Sequence, residues 1–171
     1  DEILVPLQSR IQPNLESNED LTVDQIVRIY SMSKPITSAA VMQLVEQGRL
    51  GIDDPLSMYV PEFSKVKIFV DGKMKSPRRE ITIRDLLTHT SGIAYGFSAP
   101  DELKPYFESA FSNVHSLENA AKKIATLPLA AEPGSLFVYG LNIDVLGRVI
   151  EVVSEQEFEA YLQEHIFTPL A

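Results

Sequence analysis

Apolar residues recur with two different periods along this chain. Ile36, Ala40, Val41, Leu44 and Val45 fall at helical spacing, the pattern of a helix buried along one side. Pro35 has no backbone N–H and fits only a first turn, where that donor lacks a partner anyway, so the helix starts close to Ser31. Gly48 suits the left-handed conformation that closes helices, which leaves about three to four turns. Further on, Lys65-Val66-Lys67-Ile68-Phe69-Val70 and Lys73-Met74-Lys75 flank Asp71-Gly72, a hairpin pattern. Thr82-Ile83-Arg84-Asp85 opens a short helix through Leu87, stopped by Thr90-Ser91-Gly92. Prolines 100, 105, 128 and 133 break the stretch 93–135, with a helix predicted over 117–127. Residues 136–139 read as extended, and helices follow over 143–153 and 155–166, the second with Phe158, Tyr161, Leu162 and Ile166 inward. At the start, Ile3, Leu4, Leu7 and Ile11 predict a short helix, 12–25 a polar loop and 26–30 a β-prone run. The class this predicts is α+β, predominantly helical.

Composition narrows the chemistry. A chain of 171 residues suits one domain, and 15 basic against 24 acidic residues, net −9, argue against non-specific binding to nucleic acid or anionic membranes. No cysteine is present, which removes disulfides, thiolate zinc sites and a cysteine nucleophile. Apolar runs such as 149–153 fall far short of the roughly 20 residues that span a bilayer, and the first residues lack the features of a signal peptide. Periplasmic, secreted and cytoplasmic locations all fit. One local exception is the segment 65–84, with seven basic and two acidic residues. It raises a nucleic-acid patch, but alternating lysines on a hairpin are the usual guard of a solvated strand edge.

Serine followed three residues later by lysine is a nucleophile pattern, because on a helix the two side chains share a face and the ammonium reaches the hydroxyl. With 15 Ser and 8 Lys in the chain, about 0.7 matches arise by chance; two occur, Ser31…Lys34 and Ser64…Lys67. The second lies in a predicted strand, where such residues point to opposite faces. The first opens the buried helix, although Ser31 also reads as an ordinary N-cap. Lysine and tyrosine have reference pKa values near 10, so a serine activated by lysine wants a third polar partner. Tyr139, after Pro133-Gly134 and an apolar run, is the candidate, since a buried tyrosine must place its hydroxyl. No G-x-S-x-G elbow supports a Ser-His-Asp triad, and His89 reads as a helix terminator. No histidine pair or carboxylate cluster has metal-binding spacing.

Together, Ser31-Met32-Ser33-Lys34-Pro35, Leu44-Val45-Glu46-Gln47-Gly48-Arg49-Leu50, Asp53-Asp54-Pro55, Tyr59-Val60-Pro61-Glu62-Phe63, Ile81 to Gly92, Pro133-Gly134 and Tyr139 before Asp144-Val145-Leu146-Gly147 resemble the serine β-lactamase and penicillin-binding-protein-like superfamily. The likeness runs from about 14 to 171 and is nearest to the class C β-lactamase and family VIII carboxylesterase branch. The resemblance implies a β-lactamase/transpeptidase-like fold and cleavage of a small ester or amide through a Ser31 acyl-enzyme, without cofactor. Lys34 would be the proton partner and Tyr139 the general base or proton shuttle. The family's Tyr-x-Asn motif reads Tyr139-Gly140-Leu141 here, with Asn142 one place late as the substrate-binding counterpart. That departure fits an esterase better than a lactamase. Leu86-Leu87-Thr88-His89-Thr90-Ser91-Gly92 would be scaffolding.

Family members also carry a hairpin ahead of the nucleophile and a closing strand with a Lys/His-Thr/Ser-Gly motif, and neither is found here. The expectation is therefore a single or partial domain over 1–171, the helical portion of the fold with most of its antiparallel sheet missing. Another chain or segment would supply the sheet, and the isolated chain would turn over weakly. The alternative is a non-catalytic module of the same fold, serving as binding domain or scaffold.

Overall fold

The computed structural model describes residues 26–108 and 114–170; the helix predicted at 1–11 and the loop at 12–25 lie outside them. The chain divides into two compact units, 1–31 and 32–171. Of the first, 26–29 run without strand pairing and Tyr30 takes a left-handed φ of 46°. A 3-10 turn, Tyr30–Met32, carries Ser31.

In the second unit, α1 (Ser33–Glu46) holds Pro35 in its first turn and buries Thr37, Ala40, Val41 and Leu44, and Gly48 closes it with φ 68°. The hairpin β1 (Ile68–Val70) and β2 (Lys73–Lys75) pairs Ile68 with Lys75, Phe69 with Met74 and Val70 with Lys73. It is the only sheet among the described residues. The strand predicted from Lys65 begins three residues late, because Pro61 starts a 3-10 turn that runs through Lys65. Ser64 sits in that turn and donates to the Pro61 carbonyl at 2.7 Å, while Lys67 donates to Ser76 at 3.1 Å, so this second Ser…Lys match serves local structure.

Next come α2 (Ile83–Leu87), α3 (Lys104–Glu108) and α4 (Leu117–Ile124). Then α5 (Asn142–Ser154) and α6 (Phe158–Leu162) follow. The helix predicted over 155–166 begins three residues late, because Glu155 closes α5 in a left-handed conformation with φ 61°, and it continues past Leu162 through a π-helical turn over Gln163–Phe167. Helix α5 is the central element, touching α1, α2, α4 and α6. Leu44, Leu86, Val145, Leu146, Val149 and Ile150 around it are fully shielded from solvent. A smaller cluster joins Leu103, Phe107, Leu127 and Val138. Segment 136–139 makes no strand; its Val138 N–H bonds instead to the His89 carbonyl at 2.7 Å. No helix among the described residues is long and apolar enough to cross a membrane.

Helix α2 begins with the capping box its sequence announces: Thr82 accepts from the Asp85 N–H, and the Asp85 carboxylate accepts from the Thr82 N–H at 2.9 Å. Arg79 adds two bonds to the same carboxylate, at 2.6 and 2.8 Å. Burial alone pushes the Asp85 carboxyl up, but Arg79 and the Thr82 donors outweigh it and hold it below the usual carboxylate range. A carboxyl depressed in the folded state stabilises above its unfolded pKa of about 4, and that contribution is lost as pH falls through the folded value. Asp85→Asn is expected to cost about 2 kcal/mol at neutral pH in urea unfolding and to flatten the acid limb of the stability profile. An unchanged acid limb would refute this role.

Candidate active site

Lys34 projects from the first turn of α1 toward two tyrosines that the chain brings from far downstream. Its ammonium lies 4.9 Å from the ring centre of Tyr139 and 5.8 Å from that of Tyr95, and it donates to the Tyr95 hydroxyl at 3.5 Å. Burial, the largest single influence on Lys34, draws its pKa down; hydrogen bonding to Tyr139 and Tyr95 and electrostatic attraction to both hydroxyl groups more than reverse this and raise it. Lys34 therefore rests as an ammonium at neutral pH. Ser31 stands three residues earlier in sequence, on the 3-10 turn that closes the first unit.

The two tyrosines are set by a shared loop junction. Ser98 accepts from the Tyr95 N–H at 2.9 Å and donates to the Tyr139 carbonyl at 2.7 Å. Gly140 lets the two backbones meet, since a Cβ there would lie 2.0 Å from the Ile93 carbonyl oxygen. Tyr95 stacks on Phe97 and tilts against Tyr139. Burial raises the Tyr95 hydroxyl pKa, helped by the charge of Asp144 and opposed by Lys34, so it stays a neutral phenol. Asp144, in the first turn of α5, is itself raised by desolvation, with Lys34 acting in the opposite sense.

The sequence reading of this site needs one correction. Asn142, expected to face substrate, is completely buried. Its amide NH₂ donates to the Ile93 carbonyl at 3.3 Å and lies 2.9 Å from His89 Nδ1, and its carbonyl accepts from Ser91. Ser91 in turn accepts from the Ile93 N–H at 3.0 Å. Every polar atom of the Asn142 side chain is thus engaged inside the protein, and its work is to tie the loop after α2 to the start of α5. His89 belongs to the same network. The Gly140 N–H also donates to Nδ1, at 3.4 Å, which makes Nδ1 the acceptor and places the ring proton on Nε2. Burial, and then the Lys34 charge, lower its pKa. The ring is neutral and packs between Phe137 and Tyr139, as scaffolding does.

Tyr95 is the residue that sequence reasoning missed. Its signal was faint: an aromatic just past the Ser91-Gly92 stop, in a stretch without periodicity. Beside Tyr139 opens a cleft of about 260 Å³ walled by Pro100, Leu136, Phe137 and Val138. Leu136, Phe137 and Phe97 are 54%, 64% and 76% exposed, an unusual density of bare apolar surface. A charged amine against two phenols, next to an apolar wall, is equipped to manage a proton and a negative oxygen beside an organic substrate. Among the described residues no group of His, Asp or Glu is placed to hold a metal ion.

Comparison with known proteins places the chain among related sequences and folds. The family model described as Beta-lactamase matches residues 10–171. Protein Rv1367c of Mycobacterium tuberculosis is 36% identical over 162 residues, 91% of this chain and 40% of that protein. The structure of EstCE1, a hydrolase with promiscuous acyltransferase activity, superposes with a TM-score of 0.68 at 36% identity, covering 82% of this chain and 36% of that one. Simvastatin synthase (LovD) from Aspergillus terreus gives 0.72 at 31% identity, covering 88% and 38%. This chain thus spans about two fifths of the length of these proteins.

Proposed function

The chain belongs to the β-lactamase family, and from that premise we propose that it carries the nucleophile and proton-handling residues of a serine hydrolase or acyltransferase acting on esters. Ser31 attacks the ester carbonyl carbon as the Tyr139 phenolate takes its proton; Tyr139 hands that proton to the departing alkoxide, which leaves as the alcohol, and an acyl-Ser31 intermediate remains for water or an acceptor alcohol to take up. The observation that carries this reading is the Lys34 ammonium held against Tyr139 and Tyr95. A raised lysine is a poor proton acceptor, so Lys34 acts as a fixed positive charge that stabilises negative charge on the Tyr139 oxygen. The relatives' names, a hydrolase with acyltransferase activity and a simvastatin synthase, support acyl transfer as the reaction class. Ester is favoured over lactam because the Asn142 amide is enclosed and offers a lactam nothing to bind. The apolar cleft at Phe137 fits an acyl or alcohol group of aliphatic or aromatic character.

A fluorophosphonate probe tests this directly. Incubated with the longest natural form of the chain, it should add one phosphonyl group, and peptide mapping should find it on Ser31. A label on any other serine, or none under conditions that label a known serine esterase, would overturn the assignment.

A further inference from the structure

The basic segment 65–84 has no part in the Tyr139 site, yet its side chains are not equivalent. Arg79 is committed to Asp85, Arg84 to Asp53 at 2.7 Å, and Arg78 lies 3.9 Å from Glu132. Lys65 and Lys67 instead border a cleft of about 730 Å³ whose lining includes Lys122, from α4. That volume falls within the range of small-molecule sites. The lining shares no residue with the cleft at Tyr139.

We propose that this cleft binds an organic anion with an apolar body, of the medium-chain carboxylate type. Lys65 and Lys67 line it with one carboxylate, Glu62, while the third lining lysine, Lys122, is paired with Glu118, in a chain whose net charge is −9. The local sign is reversed from that of the molecule, and it selects a negative head group. The same lining includes Met74, Tyr106, Ala125 and Pro128, apolar surface suited to the tail. Lysines are point charges on flexible stems and hold a single carboxylate without the fixed fork geometry of arginine. The methylene stems also extend the apolar wall. A nucleic acid is disfavoured, because the arginines that would follow a phosphate backbone are already paired and the lysines line a concavity.

Titration calorimetry and NMR on the whole chain test the proposal, with decanoate, decanol and inorganic phosphate as probes. Decanoate should bind at one site, moving the Met74 methyl and the Ala125 and Thr126 amide signals. Decanol and phosphate should each bind at least about tenfold more weakly. The triple variant Lys65→Gln, Lys67→Gln, Lys122→Gln should weaken decanoate about tenfold, and Thr126→Trp, at an exposed lining position, should fill the cleft and block it. Equal binding of decanol would overturn the anionic half, and equal binding of phosphate the apolar half. Undiminished binding by either folded variant, or signal changes centred on Phe137 and Tyr139, would overturn the site.

Discussion

Lys34→Met in the longest natural form of the protein should lower kcat/KM for an activated ester by about 10³-fold, within the range that positioned proton-transfer machinery supplies. Methionine keeps most of the length of the stem and its contacts, so the far-ultraviolet circular dichroism should not change. The companion variant Lys34→Arg separates two roles for the same residue. If Lys34 works as a permanent positive charge beside Tyr139 and Tyr95, arginine restores part of the rate. A neutral amine acting as the base predicts that arginine is as inactive as methionine. The raised pKa of Lys34 sets the sign of the pH dependence: the ammonium persists to alkaline pH, and activity that depends on it falls only as pH rises beyond the ordinary lysine range. Retention of activity within threefold in Lys34→Met would sink the role.

Gly92→Ala should destabilise by about 4 kcal/mol, at the upper end of single-residue effects. Two costs combine at that position. With φ at 84° it takes a conformation that a Cβ penalises by about 1–2 kcal/mol. The added carbon would also lie 2.1 Å from the Ala131 carbonyl oxygen, a backbone atom that cannot swing aside. The backbones are stitched here by Ala130 N to Gly92 O at 2.8 Å and Gly134 N to Thr90 O at 2.7 Å, so relieving the clash breaks bonds that set the Tyr139 loop. Gly48 is the internal control. Its φ is 68°, but a Cβ added there would meet nothing within 4 Å, so Gly48→Ala suffers strain alone, about 1 kcal/mol. Urea midpoints that rank the two variants equally would refute the argument.

Much of this architecture was legible because its signals are local. Pro35 and Gly48 bracket α1, Thr82 and Asp85 announce α2, and Asp71-Gly72 turns the hairpin, each within a few residues of its effect. The departures arose where distant residues decide. Nothing near Asn142 in sequence shows whether its amide faces a cleft or the interior, because the partners that enclose it, His89, Ser91 and Ile93, lie about fifty residues upstream. Tyr95 was missed for the same reason: its place beside Lys34 spans 61 residues and is fixed by Ser98 bridging to Tyr139. The last helix starts three residues later than its sequence suggests because of one backbone dihedral, at Glu155, where the side chain carries no turn preference strong enough to announce it.

The anchoring of segment 136–139 separates two kinds of change that a protein can undergo. Its main chain is fixed from beneath, by Val138 to His89 and by the Ser98 and Asn142 networks behind Tyr139, while the Leu136 and Phe137 side chains stand out from that base. Substitutions at those two positions reshape the wall beside the reacting groups without entering the core, and surface changes of that kind cost little stability. Under the proposed ester chemistry, selectivity and foldedness are therefore written on different atoms of one loop, which makes Leu136 and Phe137 the places to begin when redirecting the protein toward a new ester.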